Sequence, residues 1–211
     1  MQTIATAEVR WFYPGQIPAG VAAWFASAPG PIEYQSPRVD EYLLIRETDS
    51  VNVKFREGRI EVKQRYGEVV NREFVGGGVG AIEFWRKWSF DVDKKNSNNN
   101  FRGFGDDWLA VRKDRIVHIY ALQADGRVAP VPDLGLVEHG CSLELTQIDA
   151  AGQHWWSICF EEMGPEDRLM ETLVAVADQL LRSFTASPLS VCASYGYSAW
   201  LQRLFDSLPL T

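Results

Sequence analysis

The chain has 211 residues, of which 46% are hydrophobic and 12% aromatic, with eight tryptophans; this excludes wholesale disorder and is within reach of a single large domain. Its net charge of −7 argues against nucleic acid as a partner, because a duplex-binding protein usually carries a basic footprint. No apolar run approaches the roughly 18–20 residues needed to span a bilayer, and the opening MQTIATAEVRW lacks a basic-then-apolar leader pattern, so no membrane partner is expected.

Residues 5–13, ATAEVRWFY, alternate apolar and polar and read as a strand. Pro18 then opens a short helix, PAGVAAWFAS, which Pro29-Gly30-Pro31 ends. VDEYLLIRE at 39–47 reads as a strand. VNVKFREGRIEVKQR at 51–65 reads as a hairpin with Glu57-Gly58 as its two-residue loop. VGGGVG at 75–80 is a turn leading into a strand at 81–90, AIEFWRKWSF, and KKNSNNN at 94–100 is a loop by composition. DWLAVRK at 107–113 and RIVHIYA at 115–121 read as a second hairpin. CSLELTQI at 141–148 and HWWSICFE at 154–161 read as a third. After Gly164-Pro165 the period becomes helical, with Leu169, Leu173, Val176 and Leu180 in one apolar stripe. A last short helix is expected near 197–206. No repeat or linker divides the chain. Residues 1–211 therefore read as one α+β domain, with about eight strands over 5–161 in an antiparallel sheet or barrel and helices over about 165–208.

In the first hairpin, Val51, Val53 and Phe55 share a face with Ile60, Val62 and Gln64. The other face carries Asn52, Lys54, Arg56, Arg59, Glu61, Lys63 and Arg65, five cations with one carboxylate. Other strands repeat the arrangement, with Glu8 and Arg10, Glu83 and Lys87, Glu144, and Glu161 on polar faces. Arg112 is assigned to the same set from its own strand. A half-buried sheet with its polar face in solvent alternates in the same way, and alternation alone favours that plain reading. Two details point elsewhere. Cations dominate 52–65 while carboxylates dominate the C-terminal strands, and the apolar faces are rich in aromatics, as expected if helices pack on them. If the sheet closes with the polar face inward, both signs of charge meet in one cavity. Such an interior would bind a polyphosphate through Lys and Arg and a divalent metal through carboxylates.

The order of these elements resembles the CYTH family, the triphosphate tunnel metalloenzymes, whose fold is an eight-stranded antiparallel barrel with a charged tunnel. The family's first-strand motif, E-x-E-x-K, is matched by Thr6-Ala7-Glu8-Val9-Arg10. Glu8 stands for the second Glu, Arg10 replaces Lys, and Thr6 replaces the first Glu. VNVKFR is similar to the family's basic pair, and RIEVKQR to the strand that follows it. The resemblance covers roughly residues 5–185. It implies Glu8 and Arg10 as catalytic residues and Lys54, Arg56, Lys63, Arg65, Lys87 and Arg112 as phosphate ligands. It also implies Glu144 and Glu161 as ligands of Mg²⁺ or Mn²⁺, with Glu83 or Glu61 as candidates to replace the carboxylate lost at Thr6. The implied activity is metal-dependent hydrolysis of a triphosphate or organic phosphate. The alternatives are a barrel that binds a polyanion without chemistry, and a ligand- or protein-interaction barrel with outward charges. In each of the first two the partner is a small phosphorylated or polyanionic ligand, bound by a monomer or homodimer.

Other candidates read more plainly. The run Gly76-Gly77-Gly78-Val79-Gly80 lacks dinucleotide-loop spacing and the Lys-Ser/Thr of a phosphate loop, so it is a turn. His118, His139 and His154 show no metal-ligand spacing. Cys159, on the polar face, reads as a small filler residue rather than a nucleophile. Cys141, Cys159 and Cys192 form an odd, sparse set that fits reduced thiols and a cytoplasmic location.

Overall fold

The structure, a computed structural model, describes residues 3–92, 107–137 and 139–207. Among the described residues ten strands form one antiparallel sheet. They are β1 (Ile4–Pro14), β2 (Glu33–Tyr34), β3 (Arg38–Leu43), β4 (Val51–Arg56), β5 (Arg59–Glu73), β6 (Val79–Asp91), β7 (Trp108–Leu122), β8 (Val128–Pro130), β9 (Gly140–Ala150) and β10 (Gln153–Met163). Eight of them run in the order β7-β3-β4-β5-β6-β1-β10-β9, and pairing of β9 with β7 closes a barrel. The short β2 and β8 add to β7. Closure pairs each wall strand on both sides, which removes the edges along which open sheets aggregate.

Turn chemistry sets the registers. Glu57 and Gly58 both take positive φ, 50° and 81°, as a type I′ turn requires, and Lys54 therefore pairs with Glu61 and Asn52 with Lys63. Ala151 and Gly152, at φ 50° and 73°, connect β9 to β10 in the same way. The glycine-rich run is the turn between β5 and β6, where the Phe74 N–H donates to Gly78 O.

Three expectations change. β7 is one unbroken strand of 15 residues, so the hairpin between 107–113 and 115–121 does not form. Asp114 alone cannot reverse the chain, and Val111 to Tyr120 pair continuously with Ala150 to Cys141. β5 extends to Glu73, past a register shift between Tyr66 and Val70 where Gly67 takes φ 70°. The strand expected over 39–47 spans Arg38–Leu43. The expected loop at 94–100 lies outside the described residues.

Two apolar layers flank the wall. Outside, Val9, Trp11, Ile82, Leu143, Ile158 and Phe160 bury against α1 (Ala19–Ser27) and α2 (Leu169–Leu181), whose Leu169, Leu173, Val176 and Leu180 form the stripe read from the sequence. Inside one end of the barrel, Phe12, Tyr42, Val111 and Ile148 pack on Trp200, Leu201 and Leu204 of α3 (Tyr197–Asp206). The Trp200 and Phe12 rings stack with centroids 5.2 Å apart, so α3 fills that end. Among the described residues no helix is long and apolar enough to cross a membrane.

Candidate functional site

The site is the inner face of the barrel. Because side chains alternate along a strand, β1 sends Thr6, Glu8 and Arg10 inward while Ala7, Val9 and Trp11 go to the outer core. The same parity brings in Lys54 and Arg56 from β4, Glu61 and Lys63 from β5, and Lys87 from β6. It adds Lys113 and Arg115 from β7, Glu144 from β9 and Glu161 from β10. Together with Arg38, Glu33 and uncharged neighbours they surround a cavity of about 260 Å³. Eight cations and five carboxylates line it, and with Asp40 buried against Arg38, Lys54 and Lys113 the interior keeps a surplus of two positive charges inside a chain of net charge −7. Arg56, Lys63, Lys87 and Arg115 keep 21–25% side-chain exposure, whereas Arg10, Lys113 and Glu144 keep 5%. The closed end lies toward Tyr197 and Ser198, the first residues of α3.

The charges are organised into pairs, because a buried unpaired charge is costly. Glu61 accepts from Arg56 at 2.9 Å and forms ion pairs with Lys54 at 3.0 Å and Lys87 at 3.1 Å. Lys63 spans Glu161 at 2.7 Å and Glu8 at 3.3 Å. Glu144 is held by Arg115 at 2.6 Å and Arg10 at 3.2 Å. Asp40, fully buried on the inner face of β3 between Arg38 and Tyr42, takes Lys113 at 3.0 Å and Lys54 and Arg38 at 3.4 Å. At the closed end Lys113 Nζ lies 3.9 Å and Arg10 Cζ 4.9 Å from the centre of the Tyr197 ring, in cation–π contact.

Burial and pairing pull these groups in opposite directions. Burial disfavours ionisation of Glu61, yet Lys54, Lys87 and Arg56 outweigh it and hold the carboxyl at about 2. Burial is likewise outweighed at Glu161, chiefly by Lys63, which holds it at about 2. For Lys113 burial wins and lowers the ammonium well below its ordinary value despite Asp40. Lys54 is lowered in the same way against Asp40 and Glu61. Five polar atoms of lining residues, Thr6 Oγ1, Arg10 Nε, Arg38 Nε, Glu61 Oε2 and Thr146 Oγ1, are buried without a hydrogen-bond partner in the protein, although Arg38 Nε and Glu61 Oε2 each sit within ion-pair distance of an opposite charge. Such atoms call for a ligand or water.

Most residues expected from the sequence meet here. Glu8, Arg10, Lys54, Arg56, Lys63, Lys87, Glu144 and Glu161 all line the cavity. The plain reading of a solvated polar face, and with it a barrel with outward charges, is thereby corrected. Arg65 and Glu83 pair with each other at 3.0 Å beside Gly196 and Trp85, off the cavity wall, where burial and the nearby Glu8 push Glu83 up to about 7. Arg112 is a correction. It lies on the outer face, half exposed, and donates to Asp149. The inward cations of β7 are Lys113 and Arg115, which strand parity would have identified had β7 been read without a break at Asp114. Arg38, Asp40, Tyr42 and Tyr197 also escaped the sequence reading, since only the assembled barrel brings them to the site.

Among the described residues no group of three His, Cys, Asp or Glu side chains is placed to hold a metal ion. Glu144 and Glu161 are instead engaged by cations, so the residues present do not fit the Mg²⁺ or Mn²⁺ centre implied for them. His118 bonds Phe25 O from the outer face, and His154 meets Asp149. Cys159 is fully buried beside Arg10 with its thiol pushed well up by burial, an inert filler, and all three cysteines are free. The chemistry this arrangement supports is recognition of an anion by several Lys and Arg side chains at once. No protein-family model and no curated protein matches the chain.

Proposed function

We propose that this chain is a divergent relative of the triphosphate tunnel metalloenzymes that binds a small triphosphate or organic phosphate inside its barrel. The observation that carries the reading is the gathering of eight Lys and Arg side chains around one cavity, a surplus of two over the carboxylates there, in an otherwise acidic protein. Phosphate oxygens accept charge-assisted hydrogen bonds from Lys and Arg, and a local positive field behind low-dielectric walls draws an anion in against the overall charge. The unpartnered Arg10 Nε and the Thr6 and Thr146 hydroxyls add donors deeper in the cavity. With α3 across one end, the ligand enters at the end where Arg56 and Lys87 reach solvent.

Binding is favoured over hydrolysis. Hydrolysis by the family's route needs a metal held by carboxylates, and here Glu8, Glu144 and Glu161 are the partners of Lys63, Arg10 and Arg115. Turnover depends on placing a metal within a fraction of an ångström, whereas separate cation–phosphate contacts tolerate the change of Glu to Thr6. Calorimetric titration with tripolyphosphate at low salt, with and without Mg²⁺ or Mn²⁺, beside a phosphate-release assay, tests both halves. Saturable binding with little release is expected. Absence of binding at low salt removes the reading. Brisk metal-dependent release that Glu161→Gln abolishes would make the protein a hydrolase.

A further inference from the structure

We propose that Glu61 is a resident counter-ion occupying a phosphate subsite, and that this subsite takes a terminal phosphate without a divalent metal; the proposal rests on the phosphate-binding reading above. Lys54 and Arg56 of β4 and Lys87 of β6 converge on Glu61 from the two strands that flank it in the sheet. Glu61 Oε1 accepts from Arg56 and lies 3.1 Å from Lys87 Nζ, while Oε2 lies 3.0 Å from Lys54 Nζ as an ion pair without a formed hydrogen bond. The carboxylate is 4% exposed, but the three cations are 16–25% exposed toward the cavity, where an incoming anion meets them.

A carboxylate and a phosphate offer the same feature to Lys and Arg, oxygens that carry negative charge and accept several N–H bonds. Glu61 therefore stands where phosphate oxygens would bind. Three cations against one carboxylate, with Lys54 shared with Asp40, leave a local surplus of between one and two positive charges, the sign that a terminal phosphate of about −1.5 to −2 at pH 7 requires. The same geometry speaks against Glu61 as a metal ligand, because a divalent cation brought to either oxygen would sit beside ammonium or guanidinium groups about 3 Å from it. Glu61 thus competes with the ligand, and it keeps the cations in place while the cavity is empty. Each cation that a phosphate claims has to be shared with, or released by, this side chain.

The inference carries a sign opposite to the usual one for a site residue: removing the charge of Glu61 strengthens binding. Tripolyphosphate is titrated into wild-type protein and Glu61→Gln by calorimetry at low salt in the presence of EDTA. Wild type is expected to bind without added metal, and Glu61→Gln to bind about tenfold tighter, the equivalent of one charge-assisted hydrogen bond no longer contested. Silence of wild type with binding by the variant overturns the proposal for the natural chain, because the subsite would then take phosphate only once Glu61 is removed. Binding by wild type with equal or weaker binding by Glu61→Gln overturns the role of Glu61 and leaves the phosphate reading intact. Binding that appears only with Mg²⁺ or Mn²⁺ overturns the metal-free subsite. Silence of both proteins overturns the proposal and the reading beneath it. Should Glu61→Gln fail to fold, the comparison is made between Lys87→Gln and Lys87→Gln with Glu61→Gln, where charge balance is kept. The double variant is expected to bind tighter, and equal or weaker binding overturns the proposal.

Discussion

Glu161 and Glu162 are neighbours on β10 and live in opposite environments. Glu161 faces inward onto Lys63 and is held ionised, at about 2. Glu162 faces outward with Ile158 and Phe160, fully buried, and neither of its oxygens has a hydrogen bond of good geometry, the Gly140 N–H being only a weak partner. Burial pushes its carboxyl up to about 8, against weaker pulls from the Gly140 N–H and Arg168. The sign follows from proton binding. Between its ordinary 4.5 and about 8, Glu162 keeps its proton in the folded chain and loses it in the unfolded one. Its neutral form costs little below 4.5, and stability declines as the pH rises toward 8. Glu162→Gln keeps the shape and cannot ionise. It is expected to lack that decline and to exceed wild type by about 1–3 kcal/mol near pH 8.5, read from denaturant unfolding at pH 5 and pH 8.5. A Glu162→Gln protein less stable than wild type at the higher pH would contradict this account.

Two glycine turns that look alike in sequence differ in what surrounds them. Gly58 closes the β4–β5 turn at φ 81° with nothing within 4 Å of the place a Cβ would occupy. Gly76, in the β5–β6 turn, has φ 104°, and its Cβ would come within 2.3 Å of the backbone carbonyl of Leu181 at the end of α2. Gly58→Ala should therefore cost only the left-handed backbone strain, about 1 kcal/mol. Gly76→Ala adds a clash that neither backbone can relieve cheaply, and about 3 kcal/mol is expected. Chemical unfolding of both variants checks the difference, and equal costs would mean that the β5–β6 turn does not dock on α2. The glycine run was legible as a turn. Its contact with a helix about a hundred residues later in the chain was not, because nothing local records it.

Across the molecule, the two carboxylate environments give the pH–stability curve two limbs. Glu61 and Glu161, both held at about 2 in the folded chain, contribute stability that is present above their ordinary 4.5 and is lost as the pH falls through 2. Glu162, raised to about 8, and Glu83, raised to about 7, act in the reverse sense and erode stability as the pH climbs from 4.5. Maximum stability is expected near pH 5, measured as thermal midpoints from pH 2 to 9 at constant ionic strength. A flat profile across that range would show that the interior pairs do not hold. Saturating tripolyphosphate should raise the midpoint by mass action, since a ligand of the assembled cavity binds only the folded state.

The amino-acid pattern by itself determined which side chains share a face. Alternation is a property of the pleat, complete within a few residues, and it correctly grouped Glu8 with Arg10, Lys54 with Arg56, and Lys63, Lys87, Glu144 and Glu161 with their strands' polar sides. The type I′ turn at Glu57-Gly58 was legible for the same reason, since two residues suffice to set it. Where the local pattern was broken too early, at Asp114, the grouping failed, and Arg112 stood in for Lys113 and Arg115. Only the tertiary structure decided that the shared face is the inside. Closure rests on β7 meeting β9 and on α3 filling one end, and the pairs that follow join residues as far apart as Arg10 and Glu144 or Glu8 and Lys63. An isolated strand with a polar side is the same object on a flat sheet in water as on the wall of a barrel. Curvature, and therefore whether its charges meet solvent or one another, arises from contacts between distant segments.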